Sequence, residues 1–263
     1  MNIELNFNPY YTTNLGSAYL GNSLELMAGI PDESIDLICT SPPFALVREK
    51  EYGNVDADQY LEWFQELAAQ FHRILKPRGS LVIDIGGSWI KRMPVRSLYH
   101  FELVIALCRS KEKGGLGFFL AQELYWYNPA KLPTPAEWVT IRRERVKDAV
   151  NTVWCLSKEP HPKANSRRVL KPYSKSIKNL LNNAYKPKIR PSGHDISNNK
   201  FGNDRGGAIP PNIIDRCENK EQEQIAKPTL LQEEIFLEDL IQPVNVINAS
   251  NTDSNDYYQK RCK

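Results

Sequence analysis

The sequence predicts an α/β fold with a mostly parallel sheet over residues 1–157, then an irregular segment, residues 158–216, and an acidic linker or tail, residues 217–263. Two observations carry this. Short apolar runs alternate with stretches whose apolar residues recur every three or four positions, the pattern of βαβ units. At residue 158 the composition turns to Pro, Asn, Ser and Lys. The length of 263 residues, with 41% apolar and 25% charged side chains, suffices for one large domain plus an appendage and excludes disorder throughout.

The elements follow in order. Ile35 to Thr40 is a buried strand, entered from the turn Pro31-Asp32-Glu33-Ser34 and stopped by Pro42-Pro43. From Asp58 to Leu75, the residues Tyr60, Trp63, Phe64, Leu67, Phe71 and Ile74 stripe one helix face, and Pro77 with Gly79 ends the helix. Leu81 to Ile85 is a second strand, closed by Gly86-Gly87, and Leu98 to Leu107 a second helix. Phe118 to Tyr127 and Ala149 to Ser157 are further strands, separated by an excursion with the charged run Arg142 to Lys147. Little regular structure is expected beyond residue 158.

No apolar run approaches the roughly 18 residues of a membrane span. The opening MNIELNFNPYYTT lacks the basic-then-apolar pattern of a secretory signal, so a cytoplasmic protein is expected. The five cysteines are far apart with no C-x-x-C pair, and the four histidines lack metal-ligand spacing, so no metal is expected.

The net charge of +3 conceals an asymmetry. Residues 158–220 hold 14 Lys or Arg against five Asp or Glu, whereas residues 221–256 hold one against eight. Basic residues with Tyr173, Tyr185, Arg190 and His194 interleaved suit a surface that tracks phosphates. A solvated lysine-rich loop is the alternative.

The tetrapeptide Ser41-Pro42-Pro43-Phe44 directly follows a predicted strand, where ligands bind in open α/β sheets. Two prolines hold the backbone extended and bring no amide hydrogen. A ledge with a hydroxyl, a carbonyl and an aromatic face suits an extruded nucleobase, Phe44 stacking while Ser41 and the Pro42 carbonyl accept bonds from its amine. The alternative is a Pro-rich turn whose Phe44 plugs the core.

The ordered set TSPPF after IDLIC, LKPRGSLVIDIGG, YWYNPAKLP, RVKDAVNTVW, RPSGHDIS and GGAIPPN resembles the permuted (beta-type) DNA methyltransferases that modify cytosine N4, over nearly all of residues 10–215. A related D-P-P-Y form serves adenine, and the serine form leans towards cytosine. The resemblance implies a Rossmann-like, doubly wound methyltransferase sheet, S-adenosylmethionine as cofactor, double-stranded DNA as partner and a place in a restriction-modification system. It makes residues 1–157 a partial catalytic domain and residues 158–216 a target-recognition segment. Ser41, Pro42, Pro43 and Phe44 then orient the cytosine amine, and Asp84 accepts charge or a proton, unless it only caps the Gly86-Gly87 turn. Asn22 falls where the family sets a polar residue at the cofactor adenine, although a helix-capping role fits equally. Lys171, Lys175, Lys178, Arg190, His194 and Arg205 are the implied DNA contacts, with Arg190 and Arg205 reading guanine edges or holding phosphates. No Pro-Cys nucleophile is present, so no covalent intermediate is implied.

The chain also departs from the family. Its Gly-Gly pairs lack the strand-loop-helix context of the F-x-G-x-G cofactor loop, and the resemblance implies that a pair of central strands is missing before Ile35. The expected sheet is therefore incomplete. Either a second polypeptide supplies the glycine-rich half, or the chain is a truncated product. A DNA-binding remnant without catalysis and an amino-methyltransferase acting on adenine or RNA are the rival readings.

Overall fold

A computed structural model describes residues 5–45, 55–128, 130–183 and 203–215. An N-terminal hairpin of β1 (Tyr11–Thr13) and β2 (Gly16–Ala18) stands as its own two-stranded sheet and leads into α1 (Ser23–Ala28). The main elements are β3 (Ile35–Thr40), α2 (Ala57–Ile74), β4 (Leu75–Ile85), α3 (Tyr99–Cys108), β5 (Phe119–Tyr127), β6 (Val150–Ser157), α4 (Lys175–Asn182) and β7 (Ile213–Asp215). The larger sheet has the order β3-β4-β6-β5-β7.

Alternation builds the core. On β4, Leu81, Ile83 and Ile85 are fully buried, and they share one hydrophobic cluster with Trp154 and Leu156 of β6. The stripe on α2 lays Tyr60, Phe64, Ala68, Phe71 and Ile74 into that cluster, joined by Leu103 and Leu107 of α3. Burying side chains of this size contributes about 1.5–3 kcal/mol each, so this face supplies much of the stability.

Two expectations about the sheet need correction. β3 and β4 are parallel, but β4–β6 and β5–β6 are antiparallel, so the sheet is mixed rather than mostly parallel. The cause is the connection between β5 and β6, which leaves and returns at one end, with Tyr127 opposite Val150, and therefore joins antiparallel neighbours. The winding is also one-sided among the described residues: α1, α2 and α3 cover one face, while Leu37 on the other is 54% exposed and Cys39 is exposed. β3 carries a partner strand on one side only among the described residues.

Arg73, near the end of α2, gathers the turn before β3. Its guanidinium donates to the carbonyls of Ile30 (2.8 Å) and Met27 (2.7 Å) and to Asp32 Oδ1 (2.6 Å). In return the Glu33 and Ser34 amides donate to the carbonyls of Arg73 and Ile74. Helix-terminal carbonyls that lack intrahelical donors are thereby satisfied.

Beyond residue 158 the chain is more regular than its composition suggests. Ser174 caps α4 by accepting from the Ile177 amide, and Lys171 forms a two-way backbone bridge with Ala208. Residues through Ile214 form one compact unit, and the tail, 217–263, lies outside the described residues. Among the described residues no helix is long and apolar enough to cross a membrane.

Candidate functional site

The site forms where parallel β3 and β4 end side by side. Their register sets Thr40 opposite Ile83, so the next residue on each, Ser41 and Asp84, meet. The Ser41 hydroxyl donates to Asp84 Oδ2 at 3.3 Å. Pro42 is buried, and the Pro43 carbonyl accepts a 2.9 Å bond from the Tyr60 hydroxyl. Among the described residues no hydrogen bond uses the Pro42 carbonyl.

Two tyrosines brace this ledge from below. Tyr60 and Tyr99 meet edge to face at 4.9 Å, and burial raises both phenol pKa values, which keeps them protonated. Tyr99 donates to the Gly86 carbonyl and accepts from the Ala45 amide, tying the end of the ledge to the turn after β4. Phe44 is half-buried against that turn. A Cβ on Gly86 would lie 2.7 Å from the Phe44 ring, so the close approach requires glycine. Phe44 thus packs on the core and still presents part of its surface.

Asp84 is held in a polar pocket between strands. Burial raises its pKa, and the Ser41 hydrogen bond, the neighbouring Asn151 side chain and the Lys131 charge pull it partly back. Its Oδ1 is buried without a hydrogen-bond partner. Asn151, only 5% exposed, accepts a 2.6 Å bond at Oδ1 from Lys131 Nζ. That bond turns the amide nitrogen of Asn151 away from the ammonium. Burial lowers the Lys131 pKa, while Asp148 and Asp84 raise it. Neither Lys131 nor Asn151 stands out as a site residue in the sequence. The available signal was a lone amide within the apolar run Val150 to Leu156 and a lysine inside YWYNPAKLP.

The remaining candidates lie elsewhere. Asn22 is exposed and caps α1, its Oδ1 accepting from the Leu24 amide at 3.0 Å. Lys175 and Lys178 are exposed on α4, and the Tyr173 hydroxyl accepts from the Arg205 amide at 2.8 Å. Together with the Lys171–Ala208 bridge, this brings Lys171, α4 and Arg205 into one neighbourhood. Arg190 and His194 lie outside the described residues. No group of three metal-ligating side chains occurs among the described residues.

Comparison with known proteins shows the family and the fold. The chain is 51% identical over 218 residues to the type II methyltransferase M.PvuII of Proteus hauseri, covering 81% of this chain and 63% of that relative. It is 42% identical over 78 residues to M.BamHI of Bacillus amyloliquefaciens, covering 28% of this chain and 18% of that one. The solved structure of the cytosine-N4-specific PvuII DNA methyltransferase superposes with a TM-score of 0.58 at 42% identity, over 80% of this chain and 60% of that one. The chain thus spans less than two thirds of these relatives, yet that superposition shows the α/β methyltransferase fold. A DNA methylase family model matches residues 35–242, most of the chain, and the protein belongs to that N6/N4 DNA methylase family.

Proposed function

We propose that the protein takes part in methyl transfer from S-adenosylmethionine to the N4 amine of a cytosine extruded from double-stranded DNA, as the modifying partner of a cytoplasmic restriction-modification system. One observation carries this reading: the Ser41 hydroxyl is committed as a donor to Asp84. Towards a substrate, Ser41 Oγ can therefore only accept. The Pro42 carbonyl beside it is an acceptor by nature. Two adjacent acceptors match the two hydrogens of an exocyclic amine and reject a ring carbonyl. They also draw the nitrogen towards pyramidal geometry and aim its lone pair away from the ledge.

When bound, the cofactor supplies an electrophilic methyl group. The chain's own residues position and deprotonate the amine. As the nitrogen gains its new bond it releases one proton to Ser41 Oγ, whose own proton passes to Asp84 Oδ2. The carboxylate ends neutral, which its buried setting favours. Phe44 offers a stacking face for the base, and holding reactants in line supplies most of the rate.

The fit to the cofactor is partial. Asn22 spends its Oδ1 on the α1 cap and keeps its amide hydrogens for an adenine ring nitrogen. The described residues contain no glycine-rich loop for the methionine end. The edge of β3 that no described strand covers is the natural seat for a strand from a glycine-rich half, carried by a second polypeptide or by further residues of the protein.

The test combines the chain with a polypeptide bearing that half, tritiated cofactor and duplex DNA. Label in N4-methylcytosine is the expected result; label in N6-methyladenine or 5-methylcytosine would overturn the assignment. Calorimetry on the chain alone should show no appreciable cofactor binding, and stoichiometric tight binding would refute the need for a second half.

A further inference from the structure

Two loops beside the ledge carry cations that the chemistry above leaves unused. The first, residues 89–96, follows β4 and closes on itself through the Trp89–Arg96 bridge and the Ile90 amide bond to the Val95 carbonyl. The second, residues 142–148, precedes β6. They are joined by an Arg96–Asp148 ion pair of 2.8 Å and by Arg145 Nε donating to the Pro94 carbonyl at 3.1 Å. Between them lies an open recess of about 400 Å³, walled by Trp89, Val95, Arg96, Arg145 and Val146 among others.

Their position ties them to the ledge. A Cβ on Gly87 would sit 2.8 Å from Arg96 Nη1, and one on the neighbouring Gly86 would sit 2.7 Å from Phe44. The loops therefore wall the ledge at the turn after β4.

Their charge is one-sided. The fifteen residues of the two loops include seven Lys or Arg and two Asp or Glu. Arg96 is spent on Asp148, where it also lies over the Trp89 ring at 5.0 Å, and Arg142 is spent on Glu137. Lys91, Arg92 and Arg143 are exposed and pair with no carboxylate among the described residues. Arg92 and Arg143 also occupy left-handed backbone, with φ of 65° and 56°. Side chains other than glycine and asparagine seldom accept that conformation. Here one arginine in each loop holds it, and such strain concentrates at ligand clamps.

We propose that the two loops form a clamp for the DNA backbone beside the extruded base, Arg92 and Arg143 each holding a phosphate, separate from the basic segment around α4. This rests on the DNA-methylating function proposed above. Extruding a base costs unstacking energy, and cations fixed next to the pocket can hold the flanking phosphates while the base is out. The internal pairs of Arg96 and Arg145 keep the loops in shape, leaving the exposed arginines to meet the ligand.

The test is duplex-DNA binding by the 263-residue chain, followed by fluorescence anisotropy across a salt series. Arg92→Gly with Arg143→Gly removes both cations and relieves the left-handed backbone, so loss of folding is not expected. We expect the slope of log affinity against log salt to flatten by about two, at nearly one unit per phosphate contact. Lys113→Ala, in the short turn of residues 111–113 that follows α3, controls for lost charge and should leave the slope unchanged. Wild-type-like slope in a folded double variant would overturn the clamp, as would an equal effect of the Lys113 control. A slope that responds only to Lys175→Ala and Lys178→Ala would overturn it while leaving the DNA-methylating reading intact. Duplex DNA bound neither by the wild-type chain nor by the chain completed with its glycine-rich half would overturn both.

Discussion

Ser41 and Asp84 meet at 3.3 Å although 43 residues separate them, because parallel β3 and β4 end in register and each chain advances one residue beyond the last pair. The bond makes the serine an acceptor towards substrate. Ser41→Ala removes that acceptor and should lower turnover of the completed enzyme far more than its affinity for DNA. Single-turnover kinetics beside an equilibrium binding assay separates the two, and an equal loss in both would reduce Ser41 to a turn residue.

Asp84 must be ionised to receive a proton, and burial raises its pKa. Activity should therefore fall as pH drops through that raised value. The stability consequence has the opposite sense: the folded state binds the Asp84 proton more tightly than the unfolded chain, so this carboxylate costs stability as pH rises above the unfolded value. Asp84→Asn should abolish methylation yet raise the melting temperature at neutral pH, with the gain vanishing at acid pH. Thermal scans across pH check this, and a pH-independent loss of stability would contradict it.

Lys131 acts at one remove, through the 2.6 Å bond that sets the Asn151 amide and through its charge, which lowers the Asp84 pKa. Lys131→Met should shift the acid limb of the pH–rate profile upwards and depress kcat more than it alters KM for DNA. Lys131→Arg should restore part of both. An unshifted limb would leave Lys131 a structural residue.

Gly86 admits the Phe44 ring, so Gly86→Ala must displace it. Overpacking of this kind costs about 1–3 kcal/mol. Phe44→Ala removes a stacking face worth about 1–3 kcal/mol per base. Methylation of ordinary duplex should fall in both variants, and a target cytosine set in a mismatch should recover activity in Phe44→Ala, because less unstacking is required. Recovery failing in a folded Phe44→Ala would make the ring a core plug alone.

Much of the fold was legible because local pattern decides it. The strand Ile35–Thr40 appears with the expected bounds, and the α2 stripe ends within a residue of its expected limits. β4 begins earlier than expected, at Leu75, since Pro77 and Gly79 lie in an irregular stretch of strand whose register shifts between Ile35 and Leu37. Strand direction was not legible: nothing local in Phe119–Tyr127 tells that β6 will turn back between it and β4. The α4 helix was missed because its stretch is lysine- and asparagine-rich, although Ser174 three residues before Ile177 is a capping signal. The ledge could be read from four consecutive residues. Lys131 and Asn151 could not, since only the folded sheet brings them to Asp84.

The reciprocal bonds between Arg73 and the turn before β3 bear on how the protein opens. Amides of Glu33 and Ser34 close onto the last carbonyls of α2, while Arg73 holds carbonyls from α1 and its exit. The turn therefore cannot fray without uncapping the helix, and α1, the turn and the end of α2 should exchange amide hydrogens as one cooperative block. Such a block anchors the root of β3 while its tip carries Ser41. Breathing of the hairpin before Asn22 would then stop at α1 and leave the alignment of the reacting groups undisturbed.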